Sequence, residues 1–426
     1  MSDNTNSLVT RTVTIVGAGI IGLATGIELQ RAGHKVRILD KEGIAAGASK
    51  GNAGHFASEQ VFPLADPGML PKLPGMLLDP LGPFRIQPAY FFKALPWFMR
   101  FIVNMLPGKR AHNGQAIKRL NQASIAALVE LTDFCDCSDL VTLNGSLLVF
   151  EGTPLDEVTK EYHHYADAGV HVRLLSGEEV RQLEPSLSSN ISHGLYFTHV
   201  GHTQDPYRLC KAFADKFIAL GGEIITDELV AIDCSPMNEV NVSIRLSSGE
   251  QHWVDKLVIA SGAWSKPFAK QLGHNVPLET ERGYHLMMPQ KSSLSRPVAS
   301  YNRKFIITPM LDGTRLAGTV EFGGLKAPLV EARADCLFPH GKALLPELFA
   351  DATATDGERW MGFRPSMPDS LPVLGRSDKH KNVFFSFGHQ HMGLTWSAIT
   401  AKLVSQEMAG KQTEIDLSDY RIDRFN

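Results

Sequence analysis

The sequence predicts an α/β fold with two kinds of sheet, and three observations indicate it. The chain opens with a strand, a glycine-rich turn, a helix and a second strand over 12–40. A buried-type strand over 256–262 runs into another glycine turn, as a further strand of a parallel sheet does. Strand-type segments over 281–322 are joined by a tight turn at 311–314, which is typical of antiparallel pairing.

Length and composition exclude several function classes. The 426 residues have room for two domains and a large core. A net charge of −3, without any basic run, argues against a nucleic-acid partner. The five cysteines have no C-x-x-C spacing, so they do not predict a disulfide framework. Cys135 and Cys137 have no neighbouring His or Cys and predict buried thiols, so we expect no bound metal.

The N-terminal segment is polar and lacks the apolar core of a signal peptide. The first strand begins almost at once, which predicts a cytoplasmic protein in reducing conditions. The sequence leaves the oligomeric state open.

The first strand, turn and helix carry the spacing G-x-G-x-x-G. Gly17, Gly19 and Gly22 follow an apolar β-branched strand, and helical periodicity continues over 20–31. In such a unit the first glycine permits a tight turn and the second lets the backbone approach a pyrophosphate. The third lets the helix pack closely on the strand. We therefore predict a dinucleotide site; the alternative is a glycine-tolerant turn in an ordinary α/β domain.

The helix N-terminus and the second strand supply polar contacts for that ligand. At Ile20 and Ile21, free backbone N–H groups and the positive end of the helix dipole favour a phosphate. The second strand ends at Asp40, 23 residues after Gly17, where a carboxylate can accept hydrogen bonds from an adenosine ribose. The unit thus predicts contacts to the phosphates and to a sugar of one ligand.

A second run of small residues follows over 41–56. Its glycines, interleaved with alanine and serine, are Gly43, Gly47, Gly51 and Gly54. Small residues let the backbone press against a flat ligand, and the extended cofactor of a flavin enzyme needs this second cradle whereas a nicotinamide does not. Ser49 and Asn52 can hydrogen-bond to phosphate or ring edges, and His55 lies where the run leaves the cofactor. The alternative is a flexible glycine loop.

The segment over 63–107 differs in character from its surroundings. Its first part is rich in proline and predicts irregular structure or short helices. Its last part, over 90–106, is the most apolar stretch of the chain, and we expect a helix from Pro96, which suits a first turn. This helix is too short, and too interrupted by Lys93 and Arg100, to span a bilayer. Packing in the core and lying in a membrane interface both remain open.

Helices and strands alternate through the middle of the chain. We expect helices over 116–134, 156–168 and 206–220, the last capped by Asp205, and a capping box formed by Ser176 and Glu179. We expect strands over 145–151, 173–175, 194–198, 223–233 and 240–246.

The strand over 281–288 is a candidate floor for a substrate pocket. Because side chains alternate along a strand, Tyr284 and His285 point to opposite faces of it. At most one of them therefore faces a ligand squarely.

The C-terminal part contains a second glycine-to-helix junction. A loop over 362–372 is rich in Gly and Pro around Arg364. A strand over 383–387, a turn over 388–393 and a helix over 394–408 follow. The N–H groups and the dipole at this second helix N-terminus are suited to stabilising negative charge on a reduced ring.

These motifs together give the chain a family resemblance. The segments VGAGIIGLATGIEL with its following Asp40, ASKGNAGH, VIASGAWS, GFRPSMPDSLPVLGR and FSFGHQHMGLTWS run in this order along nearly the whole chain. In them the sequence resembles the D-amino-acid oxidase superfamily of flavin-dependent amine oxidoreductases, and within it the bacterial D-amino-acid dehydrogenases. The resemblance implies a discontinuous, Rossmann-type FAD-binding domain over 1–62, 192–280 and 355–426, and a substrate domain with a mixed or antiparallel sheet over 63–191 and 281–354.

The resemblance also implies which residues bind FAD. They are Gly17, Gly19, Ile20, Ile21, Gly22 and Asp40 for the ADP half, Lys41, Ser49, Gly51, Asn52 and Gly54 for the ribityl chain and ring, Gly388, Gly393, Leu394 and Thr395 for the pyrimidine edge, with Val230 and Gly262 completing the set. No Cys occupies the C-terminal loop, where relatives with covalently attached FAD carry one. His389 or His391 would be the alternative attachment points, and we predict non-covalent FAD.

For the substrate, the resemblance implies three residues. Arg364 matches the arginine that grips the substrate carboxylate, while His55 and Tyr284 match positions that face the substrate in some relatives. The alternatives are an arginine that braces a loop, a structural histidine and a packed tyrosine. The implied reaction is hydride transfer from the amine-bearing carbon of a D-amino acid to FAD, with His55 assisting deprotonation of the amine. The imine product then hydrolyses to a 2-oxo acid.

The electron acceptor is predicted from the apolar segment over 90–106. This segment favours a membrane quinone as acceptor and a peripheral position on the cytoplasmic face of the inner membrane. An alternative within enzymes is oxidation of a secondary amine such as hydroxyproline or sarcosine, or of glycine. An alternative of another class is a flavin-binding subunit without its own turnover.

Overall fold

The structure is a computed structural model that describes residues 12–72, 79–234 and 242–426. The polar N-terminal segment over 1–11, part of the proline-rich segment at 73–78 and the first two residues of the strand predicted over 240–246 lie outside the described residues.

Strands and helices alternate along the described chain. The strands are β1 (Thr12–Val16), β2 (Lys35–Asp40), β3 (His55–Phe56), β4 (Phe84–Ile86), β5 (Ser146–Glu151), β6 (Val172–Ser176), β7 (Ile191–Phe197), β8 (Gly201–His202), β9 (Glu223–Thr226), β10 (Leu229–Asp233), β11 (Val242–Leu246), β12 (Gln251–Val254), β13 (Lys256–Ile259), β14 (Glu279–Met288), β15 (Val298–Ser300), β16 (Phe305–Met310), β17 (Gly313–Phe322), β18 (Glu358–Ser366), β19 (Val373–Arg376) and β20 (Val383–Phe387). The α-helices are α1 (Ile20–Arg31), α2 (Phe91–Val103), α3 (Pro107–Phe134), α4 (Leu155–Asp167), α5 (Gly177–Leu183), α6 (Pro206–Ala219), α7 (Ser265–Gln271), α8 (Ala332–Asp335), α9 (Leu337–Leu344) and α10 (Gly393–Met408).

The first sheet has the order β19-β20-β13-β1-β2-β9 and confirms the predicted α/β fold. β1 pairs in parallel with both β13 and β2, and only β19, at one edge, runs antiparallel to its neighbour. Both faces of a parallel sheet must be covered, and the alternate side chains of β13 pack against a different layer on each face. Val258 packs toward α1, α6 and α10, whereas Leu257 and Ile259 pack toward the three-stranded antiparallel sheet β10-β11-β12.

The second sheet is mixed and has the order β18-β14-β17-β16-β15-β5-β7-β6, with β4 paired to β17. Most neighbours are antiparallel, and β15 with β5 is a parallel pair. One face is covered by α8 and α9, against which Leu286 and Met288 of β14 pack. The opposite face of β14 is therefore available to a site between the two sheets.

Three local predictions were wrong, each because tertiary contacts decide the local structure. Helix α2 begins at Phe91, so Pro96 lies inside it rather than in its first turn. The strand predicted over 223–233 is two strands, because β9 pairs with the parallel sheet and β10 with the three-stranded one. Arg364 lies on β18 and not on a loop, because that strand pairs with β14 along nine residues.

The division into two domains at the stated boundaries stays a prediction. The mixed sheet does not follow those boundaries: β18 and nearly all of β7 fall in segments predicted for the FAD-binding domain, and β14 begins two residues before the boundary at 281. Among the described helices, none is long and apolar enough to cross a bilayer.

Candidate active site

A cavity of about 460 Å³ opens at the carboxyl ends of four strands of the parallel sheet. Residues at or just beyond the ends of β1, β2, β13 and β20 line it, among them Gly17, Asp40, Gly262 and Gly388. In an open parallel sheet, ligands bind at this edge because the loops that leave the strands diverge there. The structure thus brings together turns that are far apart in the sequence.

The first glycine turn has the close contacts that its spacing predicts. Gly17 has a φ of +114°, and a Cβ added there would lie 2.5 Å from the carbonyl oxygen of Ala260. A Cβ on Gly22 would lie 1.9 Å from the carbonyl oxygen of Gly17, so this glycine serves the packing of α1 on β1. Gly19 is the N-cap of α1 and provides no side-chain cap, so the N-terminus of the helix opens onto the cavity.

Asp40 is held at the cavity wall by backbone donors. Its Oδ2 accepts from the N–H of Ala18 at 2.8 Å, and its Oδ1 accepts from the N–H groups of Glu42 and Gly43 at 2.9 and 3.0 Å. These bonds fix both the first turn and the carboxylate. A carboxylate oxygen has a second acceptor site, so Asp40 can still accept from a ligand hydroxyl.

The small-residue run over 41–56 divides into residues that line the cavity and residues behind it. Lys41, Ser49 and Asn52 line the cavity, and Ser49 Oγ accepts from the N–H of Ile20 at 3.0 Å. Gly51 and Gly54 are not among the lining residues. A Cβ on Gly51 would lie 2.2 Å from the ring of Trp360, and one on Gly54 would lie 2.4 Å from the carbonyl oxygen of Thr203, so both glycines permit close packing.

The remaining predicted cofactor residues divide in the same way. Those that line the cavity are Ile20, Ile21, Val230, Gly262, Gly388, Gly393 and Leu394. Thr395 is buried and is not a lining residue; its Oγ1 accepts from the N–H of Ala57 at 2.9 Å and so connects α10 to the end of β3. This contact holds the segment after His55 in place.

Arg364 extends across the mixed sheet beside this cavity. Its neighbours Phe363 and Pro365 line the cavity, whereas Arg364 itself is not a lining residue; a Cβ on Gly283 of β14 would lie 2.7 Å from its guanidinium carbon. Burial lowers the pKa of Arg364, and Glu281, directly opposite on β14, raises it. The guanidinium remains charged because the pKa of arginine is so high. It forms no ion pair or hydrogen bond with the side chains of the described part of the chain.

Histidines gather on the other side of this arginine. His55 lies on β3 directly opposite His202 of β8, and its Nε2 is 3.6 Å from Oε1 of Glu59. His391, in the turn before α10, interacts electrostatically with Arg364 and His55; its burial and these two groups lower its pKa to about 4. The structure therefore brings Arg364, His55 and His391 together.

Tyr284 does not face this site, which corrects its assignment as a substrate contact. It lies on the face of β14 that packs toward α8 and α9, and its hydroxyl donates to Glu321 Oε2 at 2.7 Å. Burial and Glu321 raise the pKa of Tyr284 to about 12. His285 lies on the opposite face of β14, as the alternation along the strand requires, and that is the face on which Arg364 lies over Gly283.

Sequence reasoning missed the wall that His285 forms. Its ring stacks on Trp360 of β18 with centroids 4.8 Å apart, and its Nδ1 lies 3.1 Å from the carbonyl oxygen of Gly51. Burial lowers the pKa of His285 to about 3, so the ring is neutral at pH 7. The alternation of Tyr284 and His285 was visible in the sequence, but nothing there told which of them was inside. No cluster of His, Cys, Asp and Glu among the described residues is arranged to hold a metal ion.

Comparison with known proteins identifies relatives over almost the whole chain. The family model described as "DAO: FAD dependent oxidoreductase" matches residues 12–407. A D-amino-acid oxidase of Bradyrhizobium diazoefficiens is 35% identical over 420 residues, which cover 97% of this chain and 99% of that protein. A D-amino acid dehydrogenase of Allorhizobium ampelinum is 29% identical over 421 residues, covering 97% and 98%.

Solved structures share the fold. Glycine oxidase from Geobacillus kaustophilus has a TM-score of 0.74 at 22% identity and covers 97% of this chain and 99% of its own. Iminodiacetate oxidase from Chelativorans sp. BNC1 has a TM-score of 0.72 at 20% identity, covering 96% and 98%. At these identities the likeness concerns the fold alone.

Proposed function

The chain belongs to the DAO family of FAD-dependent oxidoreductases, and on that premise we propose that it oxidises D-amino acids at the α-carbon. The chain is an oxidoreductase of the flavin-dependent, amino-acid-oxidising kind. The proposal of D-amino acids as substrates rests mainly on Arg364. Its guanidinium lies beside the cavity and has no ion-pair partner among the described residues. The alternatives within enzymes are glycine and secondary amines, whose oxidases share this fold.

The residues at the cavity fit FAD. The tight contacts at Gly17 and Gly22 leave room for backbone only, and the open N-terminus of α1 is suited to a pyrophosphate. Asp40 is placed to accept from a ribose hydroxyl. When bound, FAD supplies the acceptor for the hydride that leaves the substrate α-carbon. His389, in the turn before α10, has its Nε2 3.1 Å from Thr400 Oγ1 of that helix, a contact that supports non-covalent FAD.

Arg364 would bind the substrate carboxylate and so orient the α-carbon. A planar guanidinium matches a carboxylate with two parallel hydrogen bonds, which fixes direction as well as position. Glu281 lies opposite but is engaged by the hydroxyl of Ser366, whose Oγ is 2.5 Å from Glu281 Oε1. Arg364 therefore keeps its donors for a ligand. Placement to within about an ångström is worth on the order of a hundredfold in rate.

His55 would take the proton that the substrate ammonium must lose before hydride transfer. The His55 ring has a nitrogen that can accept a proton, and it lies close to His391, which in turn neighbours Arg364. Its neighbour His391 has a pKa lowered to about 4 by burial, Arg364 and His55, and stays neutral. His285 and Trp360 form an aromatic wall that excludes water from the same side.

Anaerobic flavin reduction tests this proposal. Purified holoenzyme is mixed without oxygen with D-alanine, L-alanine, D-proline, glycine, sarcosine and iminodiacetate, and the flavin absorbance near 450 nm is followed. We expect the D-amino acids to bleach the flavin at least about tenfold faster than the L-enantiomer, because Arg364 and the flavin fix one face of the α-carbon. Faster bleaching by glycine, sarcosine or iminodiacetate would replace this assignment with the alternative. A flavin that none of them bleaches would favour a subunit without its own turnover.

Helix α2 supports a membrane surface as the location of the electron acceptor. Trp97 is buried and its Nε1 donates to the carbonyl oxygen of Ser366, so one face of the helix packs on the mixed sheet. The other face exposes apolar side chains, among them Phe92, which is 82% exposed, Leu95, Met99 and Ile102. The stretch over 80–129 contains seven Lys and Arg residues and no Asp or Glu. An apolar face with flanking cations is typical of a helix that lies in an anionic membrane interface.

We therefore propose a peripheral site on the cytoplasmic face of the inner membrane, with a quinone as acceptor. The test compares sedimentation with vesicles of anionic and of neutral phospholipid. The double variant Phe92→Ser, Met99→Ser is expected to lose binding to the anionic vesicles, whereas Trp253→Ser, at an exposed tryptophan on β12, is expected to keep it. Equal binding by both variants, or faster electron transfer to O₂ than to a soluble quinone, would contradict the proposal.

A further inference from the structure

Buried polar atoms without hydrogen bonds cluster behind His55. They are His55 Nε2, Glu59 Oε2 and both ring nitrogens of His202. Glu59 is 3% exposed and His202 is fully buried. A buried polar atom without a partner has lost its hydrogen bonds to water and gained none in return, so such a cluster beside an active site calls for an explanation.

We propose that Glu59 is a positioning residue that directs His55 in taking up the proton of the substrate ammonium. The Glu59 carboxylate would accept from His55 Nε2–H, which leaves His55 Nδ1 as the acceptor on the substrate side. The distance of 3.6 Å between Nε2 and Oε1 is long for a hydrogen bond, and such contacts often shorten when substrate binds. The inference rests on the proposed amino-acid oxidation.

The proton step is balanced without any further reactant. An N–H bond of the ammonium breaks, its electron pair stays on the nitrogen, and a new N–H bond forms at His55 Nδ1. The positive charge moves from the substrate to the imidazole ring, where the Glu59 carboxylate faces it. The neutral amine then has the lone pair that assists departure of the hydride.

The charges around His55 explain why it needs a carboxylate. The groups that face it are Glu59 from its own segment, His202 from β8 and His391 from the turn before α10. Arg364 lies next to His391, Arg296 acts on His202, and Tyr165 lies behind Glu59. Burial, His55 and Arg296 lower the pKa of His202 to about 4, so His202 and His391 are neutral at pH 7. Of these groups, Glu59 is the one carboxylate that faces His55, whereas the two arginines act on its histidine neighbours.

A structural ion pair is the competing explanation for Glu59. Its Oε1 also accepts from the side-chain amide of Gln60, at 3.3 Å, so the carboxylate has a local partner in the turn after β3. A purely structural carboxylate would change stability and lower the rate equally at all pH values. A positioning carboxylate changes the rate only where the ammonium needs a base. The two roles therefore differ in the pH profile.

The test is the rate constant for anaerobic flavin reduction by saturating D-alanine in wild-type holoenzyme and in Glu59→Gln, at pH 7 and pH 10. Glu59→Gln removes the carboxylate that faces His55 Nε2, so the ring loses the partner that would orient it and stabilise it after it takes up the proton. We expect a loss of about tenfold or more at pH 7 and recovery to within about twofold of the wild type at pH 10, where the free amine is neutral without help. Glu59→Asp is expected to keep most of the rate at pH 7.

Controls separate this inference from the proposed function. Glu157→Gln removes a carboxylate that accepts from Tyr301 OH at 3.0 Å on α4, and it should leave the profile unchanged. An unchanged profile in Glu59→Gln, or an equal loss at both pH values, would overturn the positioning role while leaving amino-acid oxidation intact. If Glu59→Gln does not bind FAD, Glu59→Asp decides: an equal loss at both pH values rejects the proposal, and a small loss at pH 7 that disappears at pH 10 supports it. Failure of the wild-type flavin to bleach at either pH would instead reject the proposed function.

Discussion

Two arginines lie on neighbouring strands of the mixed sheet and have opposite surroundings. Arg282 of β14 lies on the face that packs toward α8, is wholly buried, forms an ion pair with Glu321 at 2.8 Å, and donates to the carbonyl oxygen of Ala327 at 3.0 Å. Arg364 of β18 lies on the opposite face of the mixed sheet, across from Gly283, and no described side chain forms an ion pair with it. The chain therefore supplies an ion-pair partner for Arg282 but none, among the described residues, for Arg364. We propose that this difference separates a structural arginine from a substrate-binding one.

The largest expected effect is on the unpaired arginine. Arg364→Ala should lower kcat/KM for D-alanine by about a hundredfold to a thousandfold, because truncating a partner in a buried charge pair costs about 2–5 kcal/mol. The loss should appear mainly in KM, with FAD still bound. Steady-state kinetics and the flavin spectrum measure both.

Arg359→Ala is the matched control for that variant. Arg359 lies on the same strand and pairs with Asp335 at 2.7 Å, near the surface. Its KM should equal that of the wild type. If Arg364→Ala also has the KM of the wild type, Arg364 does not bind substrate, and the proposed difference between the two arginines is wrong.

The next effect is on the paired arginine. Arg282→Ala leaves Glu321 buried without its cation, and breaking a buried ion pair costs about 3–5 kcal/mol of folding free energy. We expect a clear fall in the urea midpoint of unfolding and an unchanged KM in the protein that remains folded. A raised KM at unchanged stability would place the substrate on the opposite face of the sheet.

The smallest expected effect is the loss of stability on substituting Tyr284, which contacts Glu321 as Arg282 does. Tyr284→Phe removes one hydrogen bond to the buried Glu321, which is worth about 1–3 kcal/mol. Stability should fall by less than in Arg282→Ala, and the rate of flavin reduction should not change. A rate loss larger than about threefold would restore the substrate role first predicted for Tyr284.

The two arginines also show how far the sequence alone reaches. The glycine turn over 17–22 and Asp40 could be interpreted because local spacing determines a strand, a tight turn and a helix. The two faces of β14 could not be assigned from the sequence. Alternation separates its side chains into two faces but does not tell which face packs against helices. Only the pairing of β14 with β18 brings Arg364 over Gly283. The need for a glycine at position 51 likewise comes from its close contact with the ring of Trp360, more than 300 residues away in the sequence.

The same limit applies to helix α2. Its apolar composition was evident, but packing of Trp97 on the mixed sheet and exposure of Phe92 are properties of the assembled fold. Packing in the core and lying in an interface, which the sequence left as alternatives, correspond to two faces of one helix.

Binding of the substrate carboxylate by Arg364 is tested most directly by comparing D-alanine with D-alaninamide, which lacks the carboxylate. Both compounds are measured with the wild type and with Arg364→Ala. Because each protein is measured with both compounds, intrinsic differences between the compounds cancel in the ratio. If Arg364 binds the carboxylate, the preference for D-alanine over D-alaninamide in flavin reduction is about a hundredfold greater in the wild type than in Arg364→Ala. If both proteins show the same preference, another group binds the carboxylate and Arg364 is not the substrate-binding residue.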